Sequence, residues 1–233
     1  MEFSPPLERA TLLLRYKRFL ADVTTADGNR LTIHCANTGA MSGCSDAGSA
    51  VWYSRSDRPG RKYPHTLELV ETADKDLVGV NTARANELVA EALRNGRIRQ
   101  VSNGLIRSEV PVPDDRGRFD FAVSAPDGAM TYIEVKSVTL SRGDGLGAFP
   151  DARSERATRH VRALQRVQSA GQRAVLIFCV QHSGVERVTT ADDIDPDYGA
   201  ALREARAAGV AIVAYKAAMD SRGMTLRDEL HVV

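Results

Sequence analysis

Two carboxylates and a lysine stand close together near the middle of the chain. Asp120 precedes a turn, and Glu134 and Lys136 alternate in the β-favouring run 132–140 that follows it. Carboxylate oxygens are preferred ligands of Mg²⁺, which also keeps waters and takes phosphate oxygens. A lysine beside such a ligand can orient a metal-bound water or neutralise charge on a phosphate. The three residues therefore predict hydrolysis of a phosphodiester bond with Mg²⁺ or Mn²⁺.

The turn between the two segments decides whether the two acids share a face of the sheet. Pro126-Asp127-Gly128 suits a three-residue hairpin loop, which pairs Ala125 with Ala129. In that register Asp120 lies opposite Glu134. A two-residue turn would shift the register by one residue and send the aspartate to the other face. We predict the three-residue loop.

The alternative is a surface hairpin in which Glu134 and Lys136 are merely solvated or form a weak ion pair. An acid and a lysine two residues apart are common in strands, so their spacing alone does not identify a site. However, both lie in the otherwise apolar run 132–140, where charged groups need partners or a function. This environment favours the functional interpretation.

The elements that must position these residues fall into two groups, the first of which is residues 1–80. This part contains five short β-favouring runs separated by turn sequences such as Asp27-Gly28 and Pro59-Gly60. Such spacing predicts a small OB-like β-barrel, although an open sheet or an SH3-like barrel would give similar spacing. The runs are 10–16, 18–25, 30–35, 50–56 and 66–72.

The second group, residues 81–233, alternates strand and helix patterns. Helices are predicted after Asn81-Thr82, over 154–170 and over 198–208. Almost continuous apolar runs predict buried strands, and their alternation with helices implies a mixed sheet flanked by helices. The predicted strands are 104–110, 118–123, 132–138, 174–180 and 210–215. The chain is therefore predicted to be a two-domain α+β protein.

Composition indicates an ordinary globular protein without a membrane partner. Charged residues make up 26% of the chain, and no apolar run approaches the roughly 20 residues of a membrane span. The first residues do not resemble a secretory signal, and three cysteines without a paired spacing fit a reducing compartment. We therefore expect a cytoplasmic protein. Its oligomeric state stays open, with a homo-oligomer among the possibilities.

Basic residues cluster in two places, although the net charge is only +1. The predicted helix 154–170 carries an arginine stripe opposite its apolar side, which suits contacts to DNA phosphates without reading bases. A second group lies beside Trp52, Tyr53 and Tyr63, a mixture that can stack bases and hold phosphates. A solvated helix face and a hairpin tip with core aromatics are the alternatives. The predicted DNA contacts are Arg156, Arg159, Arg162 and Arg166 on the helix, Arg55, Arg61 and Lys62 in the second group, and Arg118 beside Asp120.

Several segments, in order and over most of the chain, resemble the sugar fermentation stimulation protein A (SfsA) family. They are Asn37-Thr38-Gly39-Ala40-Met41, Asn81-Thr82, Leu88-Val89-Ala90-Glu91-Ala92-Leu93, Glu109-Val110, Arg118-Phe119-Asp120-Phe121, Glu134-Val135-Lys136-Ser137-Val138-Thr139-Leu140, Ala148-Phe149-Pro150-Asp151-Ala152 and Ser154-Glu155-Arg156 with His160. The resemblance implies an OB-like N-terminal domain, a PD-(D/E)XK nuclease-like second domain, DNA binding and a role in sugar use.

On this resemblance Asp120 and Glu134 are the metal ligands and Lys136 assists the attacking water. Glu91 is expected to supply an additional catalytic acid, with Glu109 as the competing candidate. Family members often have serine where this chain has Gly117, a departure beside the motif.

The predicted function is therefore DNA binding with Mg²⁺-dependent nuclease activity and no sequence specificity. A DNA-binding regulator of sugar-metabolism genes that does not cleave is the alternative. A metal-dependent enzyme acting on a small phosphorylated metabolite is a third interpretation. The sequence does not distinguish single-stranded from double-stranded substrates.

Overall fold

The computed structural model describes residues 1–113 and 115–233. Within these ranges the chain forms two β-sheets and three α-helices. No helix in the described ranges is long and apolar enough to cross a membrane.

The N-terminal sheet closes into a barrel. Its strand order is β3-β2-β1-β4-β5-β6, and an additional parallel pairing of β3 with β5 joins the first five strands in a ring. This confirms the predicted OB-like barrel. The sixth strand contains only three residues, too few to give a periodic signal in the sequence. The strands are β1 (Glu8–Tyr16), β2 (Leu20–Thr25), β3 (Arg30–Cys35), β4 (Ala50–Arg55), β5 (His65–Glu71) and β6 (Leu77–Gly79).

The barrel interior is filled by alternate residues of its strands. Leu12, Val23, Ile33, Val51 and Leu67 are almost completely buried in one cluster. Because successive side chains of a strand point to opposite faces, the intervening residues lie outside this core.

The second sheet has the order β10-β11-β13-β15-β14-β12-β9-β8-β7. Its centre consists of β9, β12 and β14, which run parallel to one another. The predicted apolar runs form β12 and β14. The strands are β7 (Leu105–Pro111), β8 (Arg118–Ser124), β9 (Met130–Val138), β10 (Leu140–Ser141), β11 (Leu146–Phe149), β12 (Arg173–Val180), β13 (Arg187–Thr190), β14 (Ala211–Met219) and β15 (Met224–Val232).

Helices cover both faces of this sheet. On one face α1 packs against Ile133 and Ile177. On the other, α2 and α3 pack against Leu176 and Phe178. Adjacent β12 residues therefore face different helices, as in a strand buried on both sides. The helices are α1 (Ala83–Arg94), α2 (Glu155–Ser169) and α3 (Pro196–Ala207).

The barrel joins the second sheet through backbone and side-chain contacts. Val78 of β6 forms a bridge with His182, and the Gly79 amide donates to the Gln181 carbonyl at 2.8 Å. The buried Glu68 carboxylate of β5 forms an ion pair with Arg84 of α1. These contacts set where the barrel stands relative to α1 and β9. The two-domain α+β fold is confirmed.

Candidate functional site

The hairpin between β8 and β9 has the predicted three-residue loop. The Ala125 amide donates to the Ala129 carbonyl at 2.9 Å, and the Gly128 amide donates back to the Ala125 carbonyl at 2.9 Å. Gly128 has a φ of +84°, in the left-handed region that glycine adopts without strain. The ladder pairs Phe121 with Ile133, and this register places position 120 opposite position 134.

Asp120 lies where the ladder of its strand is interrupted. Pairing of β7 with β8 skips the Glu109–Asp120 position, and Glu109 has a φ of +53°. The Asp120 side chain accepts a hydrogen bond from Asn86 Nδ2 at 2.8 Å through Oδ1. Its Oδ2 accepts one from the Val135 amide at 2.7 Å. The carboxylate is thus held between α1 and β9.

The environment of Asp120 opposes its negative charge. Burial raises the pKa of this carboxyl, and the nearby negative charge of Glu134 raises it further. Hydrogen bonds from Val135 and Asn86 counteract only part of this effect. A cation between the two acids would relieve their repulsion.

Glu134 is almost fully buried, with 3% of its surface exposed. One oxygen, Oε1, accepts hydrogen bonds from His160 Nδ1 and Lys136 Nζ, both at 2.6 Å. Burial raises the pKa of Glu134, but these two donors outweigh burial and hold the pKa below its ordinary value. The group is therefore stabilised as a carboxylate.

The second oxygen of Glu134, Oε2, is buried and has no hydrogen-bond partner among the described residues. The buried Tyr198 hydroxyl also lacks one there. Burial raises the pKa of this tyrosine, with the charge of Glu134 adding to the effect. A buried carboxylate oxygen without a donor is costly unless water or a cation satisfies it. Its chemistry suits a hard divalent cation.

The described residues contain no group of three or more His, Cys, Asp or Glu side chains arranged to hold a metal ion. Asp120 and Glu134 would therefore supply two acidic ligands, leaving other positions to water and substrate. Mg²⁺ accepts such an arrangement because it keeps several waters and binds phosphate oxygens.

Lys136 lies beside a cleft of about 530 Å³ shared by the barrel and the second sheet. Only 13% of its side chain is exposed. We call this space the interdomain cleft; its walls include Arg18, Asn37 and Gly39 from the barrel, and Asn86, Lys136 and Arg153 from the rest of the chain.

The two candidate additional acids lie in different surroundings. Both Glu91 oxygens accept from the Met1 amino group at 2.8 Å, and Glu91 lines a separate cleft with Asp220. Glu109 is exposed and lies 4.0 Å from Arg118, although its backbone position is opposite Asp120. The structure thus places Asn86, rather than Glu91, against Asp120.

The predicted arginine stripe lies exposed on α2. Ser154 caps this helix by accepting from the Ala157 amide at 3.1 Å, which sets where the stripe begins. Arg166 forms an ion pair with Asp115. A cleft of about 1020 Å³, here called the arginine cleft, has a lining of mixed charge: Arg153, Ser154, Glu155, Thr158, Arg159, Arg162, Arg166, Asp195 and Asp197. Arg156 is exposed on the same helix but does not line it.

The three basic residues of the barrel group each make a different contact. Arg55 lies 3.7 Å from Asp57, and Arg61 donates to Thr66 at 3.3 Å. Lys62 lies over the ring of Tyr63, 5.6 Å from its centroid.

The other two aromatic residues of this group contribute to packing. Trp52 packs against the core beneath α1, and Tyr53 is buried with its hydroxyl donating to Glu8 at 2.8 Å. Trp52 and Tyr63 are half-buried, whereas Tyr53 is buried.

Sequence reasoning gave no role to two residues that hold the acids. Asn86 carries no motif signal, and its contact with Asp120 spans 34 positions of the chain. His160 entered only as part of the family resemblance, without its bond to Glu134. A buried histidine on the apolar side of an amphipathic helix was the available signal.

Two family models match the chain. One, described as the SfsA N-terminal OB domain, matches residues 13–80. The other, described as the Sugar fermentation stimulation protein RE domain, matches residues 83–223. Among solved structures, the chain is similar to SfsA of Pyrococcus furiosus, determined in complex with Ca²⁺. The two share 24% sequence identity with a TM-score of 0.87, covering 100% of this chain and 98% of that one.

Proposed function

The chain belongs to the sugar fermentation stimulation protein (SfsA) family, and we propose that it is a DNA-binding, metal-dependent nuclease. The observation that carries this proposal is the buried Glu134 oxygen without a hydrogen-bond partner among the described residues, beside Asp120 and Lys136. We further propose that residues 1–80 and 81–233 act as a DNA-binding barrel and a nuclease domain.

Asp120 and Glu134 would hold Mg²⁺ or Mn²⁺. When bound, the ion acts as a Lewis acid and lowers the pKa of a coordinated water. The Pyrococcus furiosus relative was determined in complex with Ca²⁺, a hard cation that also prefers oxygen ligands. That chemistry supports the choice of metal class.

Lys136 has two tasks in the proposed reaction. Its ammonium group is anchored to Glu134 and faces the interdomain cleft, where it orients the attacking water and neutralises charge on the phosphate. The water oxygen bonds to phosphorus as the bond to one ester oxygen breaks. A water proton is released to solvent, and the departing oxygen takes a proton from solvent.

His160 and Asn86 act as positioning residues. His160 holds the Glu134 oxygen that is not offered to the cation, and Asn86 fixes the rotation of Asp120. Asn86 belongs to α1 and His160 to α2, and these helices lie on opposite faces of the sheet. The distance between the two acids therefore depends on how α1 and α2 pack. Preorganisation of this kind lowers the cost of assembling a site at the moment of reaction.

DNA binding is assigned to the exposed arginines of α2, with Arg118 and the barrel group Arg55, Arg61 and Lys62 as further contacts. Phosphate contacts of this kind make binding insensitive to sequence and steeply dependent on salt. A free phosphorylated metabolite would not give that dependence on DNA length or salt.

The test is cleavage of linear, circular and single-stranded DNA in Mg²⁺ or Mn²⁺, with EDTA as the metal-free condition. Metal-dependent cleavage by the wild type should disappear in an Asp120→Ala, Lys136→Ala double variant, while DNA binding persists. An Arg94→Ala variant, changed on an exposed part of α1 away from the interdomain cleft, serves as the matched control.

Binding without cleavage on every substrate and metal would overturn the nuclease proposal. The exposed arginine stripe favours the second candidate in that event, a DNA-binding regulator that does not cleave. Its binding would still fall steeply with salt.

A further inference from the structure

The interdomain cleft is walled on one side by a braced loop of the barrel. Arg15 Nη2 donates to the carbonyls of Arg18, Asn37 and Gly39 at 3.0, 2.9 and 2.9 Å. The buried Asn37 side chain accepts from the Gly39 amide at 2.7 Å. These bonds hold the loop in one shape.

The same loop reaches the opposite wall. A Cβ added to Gly39 would collide with the Asp151 carboxylate, so the Asp151 side chain lies directly against the Gly39 backbone. Asp151 lies in the segment between β11 and α2. Barrel and second sheet therefore meet directly at one rim of the cleft that contains Lys136.

The interdomain cleft continues into the arginine cleft. Arg153 and Ser154 line both spaces, because they stand at the beginning of α2 where the two meet. From there Arg159 and Arg162 extend along the exposed face of the helix. Among the described residues neither arginine forms an ion pair within 4.0 Å, which leaves both available to phosphates, although Glu155, Asp195 and Asp197 also line this cleft.

The interdomain cleft beside Lys136 is small and has walls from both the barrel and the second sheet. At about 530 Å³ it falls within the range of small-ligand sites, roughly 300–1,000 Å³. A DNA duplex is a stiff rod with a persistence length of about 150 base pairs, and its major groove alone is about 12 Å wide. One flexible strand suits a small walled cleft, whereas a duplex suits an open surface.

Resting on the proposed nuclease function, we infer that the substrate in the site is an unpaired DNA strand. The strand lies along the arginine cleft and enters the interdomain cleft beside Lys136. Arg18 of the barrel and Arg153 flank it as phosphate contacts, so the barrel supplies one wall of the active site. Phe149, half-buried against Phe178 and Tyr198, also lines the cleft and adds apolar surface there for an unstacked base.

Site-specific photocrosslinking tests this path without depending on cleavage. The three native thiols, Cys35, Cys44 and Cys179, are buried, so a reagent will label a cysteine introduced at the surface. Ala40→Cys places the label in the interdomain cleft, and Ala73→Cys places it on an exposed turn that lines neither cleft. The full chain is irradiated in EDTA with a blunt duplex or with the same duplex carrying a single-stranded tail.

The Ala40→Cys protein should cross-link the tail about tenfold more than the blunt duplex, a ratio that stacking of one base can supply. Ala73→Cys should give no such preference. Equal cross-linking of the blunt duplex, or cross-links confined to paired nucleotides, would overturn the inference.

A parallel assay of the wild type in Mn²⁺ separates the two proposals. Tail cross-linking without cleavage would refute the nuclease while supporting the strand path. Cleavage with equal cross-linking of both DNAs would refute the strand path alone.

Discussion

Two buried glutamates of this chain differ in how their oxygens are satisfied. Glu68, at the junction of barrel and α1, is 1% exposed, and each of its two oxygens accepts two hydrogen bonds. The donors belong to Ser54, Asn81 and Arg84. Glu134 is 3% exposed, and one of its oxygens accepts two bonds while the other has no partner among the described residues.

The difference separates a structural carboxylate from one suited to a ligand. At Glu68 the surrounding donors match the acceptor capacity, so its charge serves the joint between barrel and α1. At Glu134 the donors orient the group but leave one oxygen available. A buried acid that is incompletely satisfied indicates a site, because its second oxygen has lost water without gaining a hydrogen-bond donor from the described residues.

Exchanging carboxylate for amide at Glu134 should have the largest effect on activity. Glu134→Gln keeps one oxygen for His160 and Lys136 but removes the charge that would hold the metal. We expect cleavage to slow by about 1000-fold, equivalent to about 4 kcal/mol of transition-state stabilisation. Single-turnover assays on labelled DNA measure this loss. A rate within threefold of the wild type would contradict the assignment.

The same exchange at Glu68 should act on stability instead. In Glu68→Gln the new amide group meets donors on Asn81 and Arg84 where an acceptor is needed. We expect the free energy of unfolding to fall by about 3 kcal/mol, as when one partner of a buried ion pair is removed. Urea denaturation monitored by circular dichroism measures the change.

Glu134→Gln should unfold at a higher urea concentration than Glu68→Gln, because Oε2 of Glu134 has no hydrogen bond to lose. The reverse order would show that the two glutamates do not differ as described. Activity per folded molecule of Glu68→Gln should match the wild type.

Metal binding should stabilise the folded protein in a way that requires Glu134 and does not require Glu68. At a metal concentration about 100 times the dissociation constant, binding to the folded state adds about 2.7 kcal/mol. Thermal denaturation in Mn²⁺ and in EDTA should therefore show a shift in the wild type and in Glu68→Gln. The shift should vanish in Glu134→Gln, and its persistence there would place the cation elsewhere.

The smallest expected effect concerns the donor that orients Glu134. His160→Leu should lower metal affinity about 10- to 100-fold, the usual consequence of losing a group that holds a metal ligand. His160→Asn should recover most of the affinity, because its amide N–H can take the place of Nδ1. Isothermal titration with Mn²⁺ measures both variants. An equal loss of metal affinity in both variants would mean that His160 contributes only packing.

Local chemistry accounts for much of the candidate site. Pro126-Asp127-Gly128 set the hairpin register, since a three-residue loop with glycine in the left-handed region permits one pairing. Alternation then brought Glu134 and Lys136 to one face of β9. The apolar run of β12 and the amphipathic pattern of α2 likewise predicted a sheet flanked by helices, because burial on both faces leaves that pattern in the sequence.

The remaining features depend on contacts between distant elements. Glu91 is on the predicted helix, but it lies against the Met1 amino group, whereas Asn86 of the same helix contacts Asp120. A helical pattern identifies the buried side, but it does not say which polar residue at its edge meets a given strand. The interruption of the ladder at Asp120 also had no signal in the sequence.

Residue pattern was enough to identify the acids and the lysine, the face of β9 that Glu134 and Lys136 share, and a small β domain ahead of a sheet covered by helices. Long-range packing decided that β3 pairs with β5 to close the barrel, which oxygen of Glu134 receives donors, and that the barrel loop forms a wall of the interdomain cleft. These two groups of features differ in the range of the interactions that produce them. Strand period and turn geometry act over a few residues, whereas donors and cleft walls come from elements brought together by packing of the whole chain.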